Sequence, residues 1–223
     1  MDINYINDHY SLTCWSLFLC TQQGFTIANN QAAKSARGKF LLFANIDMFV
    51  TAGALSVLLK TLSDNPSAAA VGPLFLGKDH IVQEAGGVIW EDATGANVGR
   101  GKVLNPLHYR LREVDYISAA CVLVRRASFE QVGSFDQLFA PAYYEDSDLG
   151  MKFREHGWKV LLQPLAVVYH QEGSVFGDDE SPVKKRLMAA NRRKFLSKWG
   201  HRLGVRFISS FLSLSPCCQH RPQ

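Results

Sequence analysis

Residues 143–170 read YYEDSDLGMKFREHGWKVLLQPLAVVYH. Three acids fall in four positions, Glu145, Asp146 and Asp148. A helical pattern follows: Leu149 and Phe153 share a face at i,i+4, and Gly157 is placed to stop the helix. Two apolar runs come next, Val160 to Leu162 and Ala166 to Tyr169, divided by Pro164 and closed by His170. This is the pattern of an α/β unit, a helix followed by strand. Acids at the mouth of a helix and a histidine at the end of a strand can converge, and such a cluster suits acid/base work beside a metal. The commoner role of acids ahead of a helix is plainer, capping free N–H groups at the positive end of the dipole. A lone histidine closing a strand is likewise more often a hydrogen-bonded structural residue than a ligand.

A second stretch shifts that balance. LLFANID, residues 41–47, is an apolar run of strand length that stops at Asn45-Ile46-Asp47. A nearly continuous apolar run from Lys39 to Ala44 predicts a central strand buried on both faces. In open α/β sheets ligands bind outside the carboxyl ends of the strands, which is where Asp47 falls.

Outward from these stretches the chain keeps alternating. Ala28 to Arg37 is rich in helix formers and Gly38 is placed to end it. Gly53 to Ser63 carries Leu55, Leu58, Leu59 and Leu62 on one stripe, with Asn65-Pro66 as the stop. Ala69 to Leu76 reads as another strand. Residues 77–112 are loop-rich, with many glycines and a small hairpin near Gly87 to Trp90. Val114 to Val124 is a strand region interrupted by Ser118, Ala119 and Ala120; such small side chains either admit a ligand to the backbone or let a neighbouring element pack tightly. Ala127 to Val132 is a short helix stopped by Gly133.

The totals describe an ordinary globular chain of 223 residues, 47% hydrophobic and 20% charged, long enough for one domain and an appendage. Its five cysteines form no CxxC pair and no zinc spacing, as expected in a reducing compartment. No stretch reaches the roughly 20 apolar residues that span a bilayer. Leu12 to Cys20 is apolar but short, and its flank lacks the bases of a signal peptide. From Ser181 onward there are ten Lys or Arg and no acid, which leaves fourteen bases against twenty acids in residues 1–180. An acidic body of this kind argues against nucleic acid as a partner. The tail helix, Val183 to Trp199, aligns Leu187, Asn191, Phe195 and Trp199 between two basic triplets. Such a helix either lies on an anionic membrane or docks on its own domain with a solvated basic face.

Taken in order, NNQAAKSARGKFLLFANID, then VDYISAACVLVRRASFEQVGSFDQLFAPAYYEDSDLGMKFREHGWKV, then PLAVVYH resemble the family 2 inverting glycosyltransferases of the GT-A fold. The resemblance covers roughly residues 24–200 and is nearest to bacterial enzymes of the rhamnosyltransferase type, which build surface polysaccharides. It implies an α/β, Rossmann-like mixed sheet flanked by helices, with a core over 24–180 and a basic helical tail over 181–223. It also implies a nucleotide-diphospho-sugar donor, a glycan or lipid-linked glycan acceptor, a cytoplasmic location and a divalent cation, Mn²⁺ or Mg²⁺. In that scheme Asp47 and His170 hold the metal, and Asn30, Asn45 and Asp47 lie on the donor side. Asp146, paired with Glu145, is the general base. Ser118, Ala119, Ala120, Glu145 and Asp148 line the acceptor side. The chain departs from the family in two places. Its metal motif keeps only one carboxylate, and residues 1–23 do not read like the strand, turn and acid that open the nucleotide pocket. The resemblance therefore implies a chain lacking part of its N-terminal βα units and poor at gripping nucleotide alone. The alternatives are a non-catalytic module that keeps the acceptor half and, less well supported, a nucleotidyltransferase, for which the glycine-rich phosphate loop is missing.

Overall fold

A computed structural model of the chain describes residues 23–77, 80–170 and 181–203. The readings made above for the N-terminal segment up to residue 22 and for the chain beyond residue 203 lie outside these. The elements run α1 (Gly24–Ser35), β1 (Phe40–Ala44), β2 (Met48–Val50), α2 (Ala54–Asp64), β3 (Ala68–Leu76), β4 (Val82–Glu84), β5 (Gly87–Ile89) and β6 (Gly95–Asn97). They continue with β7 (Arg112–Glu113), β8 (Cys121–Arg125), α3 (Arg126–Gln131), α4 (Glu145–Glu155), β9 (Lys159–His170) and α5 (Pro182–Leu203).

The main sheet has the order β1-β8-β3-β9-β2, with β4 added to β3 and β7 to β9. β3 and β9 pair in parallel, while β8 runs antiparallel to both β1 and β3. β1, β3 and β9 therefore point the same way, and their carboxyl ends share one edge of the sheet. The two-residue period of the strands splits the core into two layers. Val122, Val124, Val160 and Leu162 face a core built with Phe129 of α3 and Leu149 and Phe153 of α4. Leu123 and Leu161, between them in sequence, face the other side and pack with Leu58, Leu59 and Leu62 of α2. Helices on both faces of a mixed sheet are the architecture expected for alternating βα patterns.

Three local expectations are corrected, and the course of a fourth segment is settled. β1 is not buried on both faces: among the described residues it stands at the end of the sheet order, and Leu42 is 39% exposed. The helix expected from Ala28 already begins at Gly24. Val114 to Ile117 joins no strand ladder, and β8 starts only at Cys121. The two runs flanking Pro164 form one strand: the β3–β9 register passes from Pro73 opposite Gln163 to Leu74 opposite Val167. β9 thus bulges over residues 164–166, which accommodates a proline that cannot donate to the ladder.

The tail helix docks on the body. Its buried residues are Asn191, Phe195, Trp199 and Leu203. Phe195, Trp199 and Leu203 form a third cluster with Phe139, Met151 of α4 and Ala93 beside the β5–β6 hairpin. α4 is thereby held between the sheet and α5. From Asn191 onward the stripe is taken up by this packing, while Val183, Met188 and Leu196 of the same helix stay exposed. No helix among the described residues is long and apolar enough to cross one.

Candidate active site

The carboxyl edge of the sheet collects the acids that the sequence singles out. Asp47 follows β1 through a tight turn, in which the Met48 N–H donates to the Asn45 carbonyl at 3.3 Å. The chain then enters β2, which pairs antiparallel with the end of β9 and sets Met48 opposite His170. That register brings Asp47 Oδ1 to 3.5 Å from His170 Nε2, with both side chains largely buried. Asp47 Oδ1 is buried without a hydrogen-bond partner among the described residues. A buried carboxylate oxygen is normally satisfied, so one left this way beside an imidazole nitrogen fits a cation-binding pair. One carboxylate and one neutral imidazole suit Mn²⁺ or Mg²⁺, whose remaining ligands come from water and phosphate. No group of three or more His, Cys, Asp or Glu able to hold a metal occurs among the described residues.

Asp146 sits at the other side of this edge, in the first turn of α4. The helix is preceded by Tyr143 and Tyr144, both with φ of 74°. Two successive non-glycine residues in the left-handed region cost on the order of 1–3 kcal/mol each and persist only when the surroundings over-determine them. Asp146 Oδ1 accepts from the Ser147 N–H at 2.7 Å and the Ser147 hydroxyl at 3.3 Å. Burial pushes its carboxyl above the usual range, against the hydrogen bonds from Ser147 and the Ala119 N–H. Glu145 is buried, and its Oε2 has no hydrogen-bond partner among the described residues. Burial first, and the Asp146 charge second, hold its carboxyl well above the ordinary value. Two adjacent carboxyls, Glu145 buried and Asp146 half-buried, form a pair that holds a proton more readily than solvated carboxylates do.

Ser118, Ala119 and Ala120 join the two halves through their backbones. The Ala120 carbonyl accepts from the Asn45 N–H at 2.8 Å, and Ala119 lines a small pocket together with Asp146. The Ser118 N–H donates to Glu84 Oε1 at 2.9 Å. The small side chains permit close approach, as expected, and the approaching groups are the protein's own backbone and carboxylates. Close packing continues at Gly150 of α4, where a Cβ would run into the Asp115 carbonyl.

Two expected site residues belong elsewhere. Asn30 is a structural tie: its amide donates to the Phe135 carbonyl at 2.7 Å and accepts from the Phe135 N–H at 3.0 Å, which commits both ends of the side chain. Asp148 is fully buried; its Oδ1 accepts from Lys198 Nζ at 2.6 Å and Trp199 Nε1 at 2.8 Å, and Oδ2 faces Lys152 Nζ at 3.4 Å. It anchors α5 and cannot line an acceptor groove. Conversely, sequence reasoning passed over Glu84. This carboxylate is 2% exposed behind the Ser118 turn, in a strand-length piece of the loop-rich insertion, where nothing local signals a role.

With this geometry in place, comparison with known proteins identifies the family. A family model described as glycosyltransferase-like family 2 matches residues 15–189, and the chain belongs to that family. The chain is 31% identical over 155 residues to the N-acetylglucosaminyl-diphospho-decaprenol L-rhamnosyltransferase of Mycobacterium tuberculosis, across 63% of this chain and 49% of that protein. It is 30% identical over 160 residues to the O-antigen biosynthesis protein RfbC of Myxococcus xanthus, across 69% of this chain and 12% of that protein. The chain thus spans about half or less of the length of these relatives. Among solved structures, GalNAc-T7 with UDP, GalNAc and Mn²⁺ superposes with a TM-score of 0.61 at 16% identity, across 81% of this chain and 36% of that one. The likeness establishes a fold of GT-A type.

Proposed function

We propose that this chain carries the reacting centre of an inverting glycosyltransferase, which moves a sugar from a nucleotide-diphosphate donor to a hydroxyl of a growing glycan or lipid-linked glycan. The observation that carries the reading is the shared edge: Asn45 bonds to the Ala120 carbonyl, and the neighbouring Ala119 lines the same small pocket as Asp146. Asp146 is the general base that takes the proton of the acceptor hydroxyl. Its raised affinity for a proton brings it nearer the working pH than a solvated aspartate, where a base is most effective. Glu145 supports it by keeping a second carboxyl in the same dry corner. Attack from the Asp146 side of the sugar opposes the departing diphosphate, which gives inversion. Asp47 and His170 would hold a divalent cation, which supplies neutralisation of the charge that develops on the diphosphate leaving group. The relatives named for rhamnosyl transfer and O-antigen synthesis support a role in cell-surface polysaccharide assembly from cytoplasmic nucleotide-sugars.

The test is transfer itself. The protein is incubated with UDP-, GDP- and dTDP-linked hexoses, Mn²⁺ and lipid-linked or soluble glycan acceptors, and the anomer of the product is read by NMR. Transfer with inverted configuration, slow in a chain that spans only part of its relatives' length and lost on chelation, is expected. Glycan binding without transfer from any donor would move the assignment to a binding module.

A further inference from the structure

Asn191 is an amide set in an apolar stripe, between Leu187 and Phe195 on α5, and is 1% exposed. A buried amide costs stability unless its groups are satisfied. Its Nδ2 donates to the carbonyls of Phe139 at 3.0 Å, Ala142 at 2.9 Å and Tyr143 at 2.9 Å. Its Oδ1 accepts from Lys194 Nζ at 2.8 Å, and that ammonium also reaches the Leu138 carbonyl at 2.9 Å. An NH₂ group has two hydrogens, so three carbonyls converge on one donor site. All three belong to the segment that runs directly into the left-handed pair Tyr143 and Tyr144, and from there into Glu145 and Asp146. Tyr144 is held from its other end by a 2.8 Å hydrogen bond to the Ala93 carbonyl, and its ring lies against Phe195.

We infer that Asn191 is the positioning residue that fixes the Asp146-bearing turn, and that α5 is a brace for the base. The inference rests on the proposed base role of Asp146. The chemistry selects asparagine: alanine and leucine donate nothing, and an ionised aspartate would set a negative charge against three carbonyl oxygens. The strained pair at Tyr143 and Tyr144 is the reason a brace is needed, because a turn in an unfavourable conformation relaxes when its carbonyls are released.

The experiment compares the wild type with Asn191→Leu, which keeps the branched outline of the side chain, adds some bulk and removes the donor. Leu58→Val, in the core on the far face of the sheet, serves as a variant that loses thermal stability without touching the turn. Amide hydrogen exchange is followed by mass spectrometry for peptides covering residues 139–148 and, as reference, β3. Transfer from UDP-, GDP- and dTDP-linked hexoses is followed in parallel, with kcat and donor KM taken separately. Asn191→Leu should speed exchange in 139–148 selectively. It should also lower kcat by about 10–10²-fold, the scale of a misplaced catalytic group, with donor KM within about twofold. Leu58→Val should do neither. Should Asn191→Leu not fold, Lys194→Met loosens the same amide more gently and should speed exchange in the same peptide. Unchanged exchange in 139–148 in the folded variant overturns the brace, as does a kcat loss no larger than that of Leu58→Val. If the wild type transfers no sugar, the base assignment fails by itself, and exchange alone decides whether Asn191 holds the turn.

Discussion

Asp146 and Asp148 stand two residues apart in the first turn of α4, and they face different surroundings. Asp148 turns toward α5, where Lys198 and the Trp199 indole N–H meet its carboxylate, with Lys152 of its own helix on the other oxygen. Asp146 lies beside Ala119, its carboxylate accepts from the backbone and hydroxyl of Ser147 on its own helix, and its burial favours the proton-bearing form. Local sequence does not distinguish them; both are acids at a helix mouth, and both gain from the helix dipole. The difference is the company each keeps across the fold. A buried carboxylate with cations is a structural tie, whereas one held by dipoles in a dry corner retains an appetite for a proton.

That contrast can be broken most forcefully at Asp146. Asp146→Asn keeps shape and hydrogen bonding but removes the proton acceptor, and transfer should fall by about 10²–10⁴-fold, the usual worth of a positioned base. Thermal melting should show a fold at least as stable as the wild type. Asp148→Ala should do the reverse. It leaves Lys198 and Lys152 without their shared buried partner, and a loss of about 3–5 kcal/mol is expected in denaturant unfolding, the scale for breaking a buried pair. If Asp148→Ala folded normally and only transfer suffered, the division of roles between the two acids would be wrong.

A smaller effect should appear at the opposite side of the edge. Asp47→Asn should weaken Mn²⁺ binding, measured by calorimetry with UDP present, by at least the about 10–100-fold that outer partners of a metal site are worth. The smallest effect concerns pH and stability. Glu145 and Asp146 have folded-state proton affinities raised above those of the unfolded chain. Between the two values the unfolded state binds fewer protons, so their contribution makes stability fall as pH rises above the ordinary carboxylate range. The double variant Glu145→Gln with Asp146→Asn should therefore lose less melting temperature than the wild type between about pH 4 and 7, the interval above ordinary carboxylate values. An identical decline in both would place the pair in solvent.

The same contrast explains what the sequence can and cannot reveal. The apolar runs read as strands at 39–44, 69–76 and 114–124 contain most of the observed β1, β3 and β8, because burial needs only composition. The meeting of Asp47 with His170 follows from strand ends on a shared edge, and Asp146 was marked by its motif. What stayed hidden depends on partners distant in the chain. Lys198, which separates Asp148 from Asp146, lies 50 residues away. Asn30 looks like a donor-side residue until Phe135, 105 residues on, takes both ends of its amide. Asn191 was visible as a polar break in an apolar stripe, but the carbonyls it serves lie 48 to 52 residues upstream. The joining of the two apolar runs across Pro164 could not be read from the sequence, because a bulge in register is a property of the pairing and not of the run itself.

The measurement closest to the central claim is the titration of the Asp146 carboxyl in the folded protein, followed by ¹³C NMR with Asp146→Asn to assign the resonance. A base held dry without a cation should titrate clearly above the value of about 3.9 for a free aspartate side chain. A midpoint at or below that value would show a solvated or cation-paired carboxylate, and Asp146 would then be a second structural acid like Asp148.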